Sequence, residues 1–284
     1  MNLLAILLGI VLLVVAATIA AIHLGFRAPR LREQGSPADL GLAFDSVWIP
    51  TARDKRLFAW WLPAGDAVPT LLMLHGWGGN AEVMLPLAAP LRRAGFNLLL
   101  LDARNHGRSD ADGHSSLPRF AEDVDAALDW LKRRDGARAP VALLGHSVGA
   151  GAVLLAASRR DDIAAVIAIA AFAHPEWTMR RYLDRRWLPR ALRWVILRYV
   201  EWVIGHRYAD IAPMNRVCHL RCPVLLVHGT RDSTVPVSDA LAIQENCPTH
   251  RPELLLIEGA GHDSVEEIER HADKLIRFLD KATR

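Results

Sequence analysis

The stretch that most constrains this chain is Val141-Ala142-Leu143-Leu144 followed by Gly145-His146-Ser147-Val148-Gly149. A short apolar run suited to a buried strand ends there, and a small-residue helical pattern, Ala150 to Ser158, begins at once. Strand and helix joined without a loop need a sharp corner, and the residue at that corner must hold a strained backbone. Glycine fits at 145 and 149 because side chains would collide where strand and helix crowd together. The corner lifts Ser147 above the sheet edge and aims the first helical amides at whatever reacts there. This is the context that a G-x-S-x-G nucleophile elbow requires.

The neighbouring sequence supplies the sheet that such an elbow needs. Ser46 to Ile49 and Leu57 to Leu62 flank a polar turn and are expected to form an antiparallel hairpin at a sheet edge. Thr70 to Leu74, Phe96 to Leu101, Ile163 to Ala170, Pro223 to Val227 and Glu253 to Ile257 are strand-like apolar runs. Helical patterns lie between them: one capped by Asn80 and carrying Leu85, Leu87 and Leu91, another from Ala121 to Arg134, and a last one from Val265 to Leu279. Strands alternating with helices imply a mostly parallel sheet covered on both faces.

Two segments break that rhythm. From Leu3 to Ile22 the only polar residue is Thr18, enough apolar length to cross a bilayer. No basic residue precedes it and no A-x-A site follows, which favours a retained anchor over a cleaved signal peptide. Arg27, Arg30 and Arg32 follow it, so the larger domain is expected on the cytoplasmic side. The second segment, Phe172 to Met214, replaces a short crossover with eight arginines (180, 181, 185, 186, 190, 193, 198 and 207). It also carries Trp177, Tyr182, Trp187, Trp194, Tyr199 and Trp202. Leu188, Ala191, Leu192, Val195, Ile196, Tyr199, Trp202 and Val203 recur at helical spacing.

A serine hydroxyl becomes a nucleophile only beside a base, and the base needs a partner that fixes its tautomer. The Pro223 strand runs into a loop carrying Asp232, and the Glu253 strand into a loop carrying His262. The order is Ser, Asp, His, each just past a strand end. Asp263 is too close in sequence to His262 to orient its ring well. His146 is expected to pack, while His75 and His106 are expected to fix loop hydrogen bonds. Cys218, Cys222 and Cys247 are an odd number without zinc-ligand spacing, and are expected to be free thiols. Neither a Walker loop nor an HExxH motif is present, and a formal charge of +3 is too small and scattered for a nucleic-acid partner.

Taken together, His75-Gly76-Trp77-Gly78-Gly79, Asp102 through Ser109, Gly145 through Gly149, and the Asp232 and His262 loops resemble the α/β-hydrolase superfamily, in its serine-hydrolase branch with a helical cap. The resemblance spans about residues 45 to 282. It implies an α/β-hydrolase fold with a mostly parallel central sheet and a helical cap insertion, joined here to an N-terminal transmembrane helix. The expected division is anchor and basic flank 1–27, linker 28–44, core 45–171 and 215–284, and cap 172–214. By the same resemblance Ser147 is the acyl nucleophile, His262 the general base and later acid, and Asp232 the orienter of His262. The amides of Trp77 and Val148 form the oxyanion hole. Trp77 stands where the HGGG lipase form has glycine, which leaves the backbone donor but alters the acyl pocket. No cofactor or metal is implied. The expected activity is cleavage of hydrophobic or lipid-derived carboxylic esters; a thioesterase, a small-peptide hydrolase and a non-catalytic binding protein are the alternatives. Membrane lipids are expected partners through the anchor and through a basic, tryptophan-rich lid, unless those residues are simply the cap's own core and solvated face.

Overall fold

The apolar runs pair into one eight-stranded sheet in a computed structural model of the chain, which describes residues 3–25, 27–135, 139–186, 188–248 and 250–284. The strands are β1 (Asp45–Thr51), β2 (Lys55–Leu62), β3 (Thr70–Leu74), β4 (Asn97–Leu101), β5 (Val141–His146), β6 (Ile163–Ile169), β7 (Val224–Gly229) and β8 (Glu253–Ile257). Their spatial order is β1-β2-β4-β3-β5-β6-β7-β8. Strand β2 runs antiparallel to β1 and β4, and the other neighbours are parallel. The edge hairpin sets Ser46 opposite Trp60 and Ile49 opposite Leu57.

The helices are α1 (Leu3–Gly25), α2 (Leu85–Arg93), α3 (Leu117–Asp135), α4 (Val148–Ala157), α5 (Pro175–Asp184), α6 (Arg190–Ile204), α7 (Tyr208–Ile211), α8 (Pro213–Arg216), α9 (Val237–Glu245), α10 (Val265–Glu269) and α11 (Ala272–Thr283). Because side chains alternate along a strand, Leu72 and Leu74 face one layer, with α3, α4 and α9. Leu71 and Met73 face the other, with α2, α10 and α11. On α3, Phe120, Val124, Ala127, Leu128 and Leu131 make the buried stripe; each large apolar side chain so buried contributes about 1.5–3 kcal/mol.

Between β6 and β7, helices α5 to α7 form a layer with its own small core of Leu183, Ile196, Leu197 and Tyr208. Arg181 ties it to the main body: its guanidinium lies 2.8 and 3.0 Å from the buried Asp239 carboxylate, which also accepts the Ala173 amide at 3.0 Å. Only part of the expected apolar stripe is used. Ile196 and Leu197 are buried, whereas Ala191, Val195 and Trp202 are exposed. Trp187 lies outside the described residues.

Three expectations change. The single C-terminal helix is two, α10 and α11, broken at Arg270 and His271 because α10 packs on α2 while α11 reaches under β6. Cys218 and Cys247 are not free thiols: they form a disulfide with their Cα atoms 5.2 Å apart, leaving Cys222 free. Sequence spacing could not reveal the pair, since 29 residues, including β7 and α9, separate the partners. The lead-in before β1 has little regular structure beyond a turn at Pro37–Leu40, yet it is strapped to the body. The carboxylate of Glu82 accepts the amides of Gln34 and Gly35 at 2.9 Å, Asn80 donates to the Leu31 carbonyl at 3.2 Å, and Arg30 donates to the carbonyls of Gly107 and Ser109.

Candidate active site

The corner between β5 and α4 is as tight as its sequence requires. Ser147 has φ 55° and ψ −117°, a conformation that costs on the order of 1–3 kcal/mol. A Cβ at Gly145 would lie 2.3 Å from the Gly149 carbonyl oxygen, and one at Gly149 would lie 2.4 Å from that of His75. Both positions therefore exclude any side chain. Packing over-determines the strained serine: its amide donates to the Ile169 carbonyl at 2.8 Å, and its carbonyl accepts from the Gly151 amide at 3.1 Å.

Strands β7 and β8 end beside this corner, and their loops are brought together at Gly229, where a Cβ would sit 2.3 Å from the Ala260 carbonyl oxygen. His262 Nδ1 lies 2.7 Å from Asp232 Oδ2, and its Nε2 lies 2.9 Å from Ser147 Oγ. A proton on Nδ1, donated to the carboxylate, leaves the Nε2 lone pair facing the serine hydroxyl. Asp232 Oδ1 accepts the Thr234 and Val235 amides at 2.9 and 2.7 Å. Burial pushes this carboxyl up, but the His262 hydrogen bond, the two amides and the imidazole charge together outweigh it and hold Asp232 below its ordinary 3.8. Asp232 is wholly buried at its side chain, while His262 keeps 12% exposure. Asp263 is exposed, and Asp102 instead accepts the Ala81 and Arg108 amides.

Val148 and Trp77 carry the two amides expected to receive an oxyanion. Val148 is the first residue of α4, where helix geometry leaves the N–H without an internal acceptor. Trp77 sits inside a turn closed by the Gly79 amide on the Gly76 carbonyl at 3.2 Å, which does not use the Trp77 N–H. A Cβ on Gly76 would come within 3.1 Å of Ser147 Cβ, so this loop runs directly alongside the serine. His75 fixes the loop. It donates from Nδ1 to the Gly76 carbonyl at 2.7 Å and accepts the Ala103 amide at Nε2 at 3.1 Å. Burial, with the charge of His106, lowers its pKa to about 3, so it stays neutral and structural.

Two histidines have positions the sequence did not disclose. His146 is buried and packs, but its Nε2 also donates to the His262 carbonyl at 2.8 Å, holding the backbone beneath the imidazole. His228 donates to the Val235 carbonyl at 2.8 Å and steadies the loop that presents Asp232. His146 stands at the end of β5 and meets its partner only when the loop after β8 folds over it, whereas His228 meets Val235 within the loop that follows its own strand. Donor atoms of His146, His262 and Asp263 lie within 4.8 Å of one another. Both His262 nitrogens are already engaged by Asp232 and Ser147, so a cation there would compete with that relay. A cavity of about 610 Å³ between the strap, α2 and α10 includes none of the three relay residues.

Comparison with known proteins identifies the fold and the family. The family model described as serine aminopeptidase, S33, matches residues 65–216, which takes in the Trp77 loop and the elbow but neither Asp232 nor His262. "Alpha/beta hydrolase domain-containing protein 17C" of Mus musculus is 27% identical over 240 residues, covering 84% of this chain and 68% of that protein; against its Homo sapiens counterpart the coverage is 66%. "Uncharacterized protein YfhR" of Salmonella typhimurium is 26% identical, covering 82% of this chain and 80% of its own. Among solved structures, the Pyrococcus furiosus esterase Pf2001 superposes with a TM-score of 0.74 at 23% identity, over 90% of this chain and 97% of that one. Est1E from Butyrivibrio proteoclasticus, solved with ferulic acid, gives 0.65 at 21% identity over 82% and 99%. The fold is that of an α/β hydrolase, and the chain belongs to the S33 serine aminopeptidase family within the α/β-hydrolase superfamily.

Proposed function

We propose that this protein is a serine hydrolase that cleaves carboxylic esters through an acyl-enzyme. The observation that carries the reading is the hydrogen-bonded relay from Asp232 through His262 to Ser147, at 2.7 and 2.9 Å. Ser147 Oγ attacks the acyl carbonyl carbon while its proton passes to His262 Nε2, and the new oxyanion is received by the Val148 and Trp77 amides. Collapse breaks the bond to the leaving alkoxide, which takes the proton from His262. Water then attacks the acyl-enzyme with His262 again as base, and Ser147 regains its proton.

A hydrophobic or lipid-derived acyl group is the favoured substrate class, supported by the apolar helix α1, the aromatic residues of the cap and the half-exposed Trp77 beside the serine. Hydrolysis of p-nitrophenyl esters from acetyl to palmitoyl, beside Ser147→Ala, tests this. Serine-dependent turnover rising with chain length is expected; turnover confined to acetyl and butyryl would replace it with a small-ester reading. The family's aminopeptidase description favours a second reading, peptide cleavage by the same relay, and aminoacyl-p-nitroanilides in the same panel distinguish the two.

Helix α1 acts in this reading as a membrane anchor, its 20-residue apolar window from Ala5 to Leu24 having a mean hydropathy of 3.0. The arginines after it favour a cytoplasmic domain. The Cys218–Cys247 bond favours the opposite, an oxidising compartment. Alkylation of intact cells with a membrane-impermeant maleimide, before and after reduction, decides the side: labelling without lysis contradicts the cytoplasmic assignment.

A further inference from the structure

Helix α6 has two unlike faces. Ile196 and Leu197 turn inward onto Leu183 and Tyr208, with Leu192, Val200 and Ile204 beside them. Trp194, Val195, Tyr199 and Trp202 fall on the outward side, at i, i+1, i+5 and i+8. Of these, Trp194, Val195 and Trp202 are 62%, 51% and 76% exposed, on a helix otherwise built to pack. A cluster of large exposed apolar side chains marks a surface that meets something else.

The position of α1 says what that is. None of its apolar window is buried within the protein, and it touches the body at its last turns. There Ile22 packs against the α6 core, and His23 Nε2 lies 2.9 Å from the Tyr199 hydroxyl, with the two rings perpendicular at 6.0 Å. The anchor thus ends on the very helix that exposes the tryptophans. It also ends within reach of the Trp77 loop: α1 stops at Gly25, and Pro29 already rests against Gly78, so at most about 14 Å of extended chain separates the helix end from that loop.

Resting on the anchor reading given above, we infer that the outward face of α6 is a lipid-docking surface that lies, beside the end of α1, at the headgroup level of the bilayer. Indole and phenol rings suit that depth, with an apolar body and one polar edge. The docking is aromatic rather than electrostatic, which differs from the arginine-led lid expected from sequence. Arg180, Arg181, Arg193 and Arg198 are paired with Glu176, Asp239, Asp184 and Glu201. Arg185 donates to the Ser233 carbonyl and Arg186 to the Tyr182 hydroxyl. Among the described residues, only Arg190 and Arg207 of the eight are left to meet phosphates.

The test uses the full chain reconstituted in phosphatidylcholine vesicles that contain lipid brominated near the top of the acyl chain. Intrinsic fluorescence of the parent is compared with that of Trp194→Phe/Trp202→Phe, two changes that keep the helix and its inward packing. The fluorescence lost in the double variant is expected to be quenched more than twofold by the shallow bromines, with little change on adding 20% phosphatidylserine. If the chain stays with the vesicles through a carbonate wash but the lost fluorescence is unquenched, the face lies in water and the inference is overturned. Release by carbonate would overturn the anchor reading and the docking together. Neither readout depends on whether Ser147 reacts.

Discussion

Helices α4 and α6 both carry many apolar residues, and they are put to opposite use. Every residue of α4 is buried, wedged behind β5 and against α3, and it is made of glycine, alanine, valine and leucine; at Gly149 and Gly151 an added Cβ would already meet neighbouring atoms at 2.4 and 2.5 Å. Helix α6 is made of tryptophan, tyrosine, arginine and long aliphatics, and buries only Ile196 and Leu197. The first is small because its purpose is to hold one serine in a strained position. The second is large and half-exposed, as expected if its outer face docks on lipid as proposed above. Apolar sequence alone therefore does not say core; residue size against available space does.

Substitutions can break or sharpen that contrast. On the α4 side, if the proposed relay operates, Ser147→Ala should lower kcat by about 10⁶, as loss of a serine nucleophile does in an established triad enzyme, with an unchanged melting temperature because the corner is held by its neighbours. Stopped-time assays on p-nitrophenyl butyrate check this, and more than a tenth of parental turnover would contradict it. Asp232→Asn should cost about 10⁴ in kcat by favouring the wrong His262 tautomer. Its pH dependence is also set. A carboxyl held below 3.8 contributes its interaction fully above that pH and loses it only as pH falls through the lower folded value. Asp232 is therefore ionised at both pH 6 and pH 8, and the variant should be impaired at both. Parental turnover at either pH would show that the carboxylate does not support His262 there.

Gly149→Ala should destabilise by about 3 kcal/mol, at the upper end for overpacking, because the new methyl meets two backbone carbonyls rather than a side chain that can move. Denaturant melts measure it, and a loss below about 1 kcal/mol would show that the corner has slack. On the α6 side, Trp194→Ser with Trp202→Ser should change stability in detergent by less than about 0.5 kcal/mol and leave acetyl-ester turnover intact. A drop of several degrees in Tm would instead mean that these rings belong to the cap's own packing.

The elbow and the Asp232 and His262 loops were legible because each is a local pattern: a strand's apolar run, then residues whose backbone or side-chain chemistry the turn demands. What was not legible depends on contacts between distant segments. The Cys218–Cys247 bond joins the turn before β7 to the end of α9. Arg30 and Gln34 belong to a segment without periodicity, and only the folded loops at Gly107 and Glu82 give them partners. The break between α10 and α11 contains neither glycine nor proline, so no local signal announces it. The stripe on α6 was visible as periodic, but which half of it would face inward was decided by where Leu183 and Tyr208 stand.

The central claim is that Ser147 is an activated nucleophile within the relay. Intact-mass analysis of the full chain after reaction with a fluorophosphonate tests it most directly, run beside Ser147→Ala and His262→Ala. The account predicts a single adduct on the peptide containing Ser147, absent in Ser147→Ala and formed at least a hundredfold more slowly in His262→Ala. An unlabelled parent, or labelling that persists without Ser147, would contradict it.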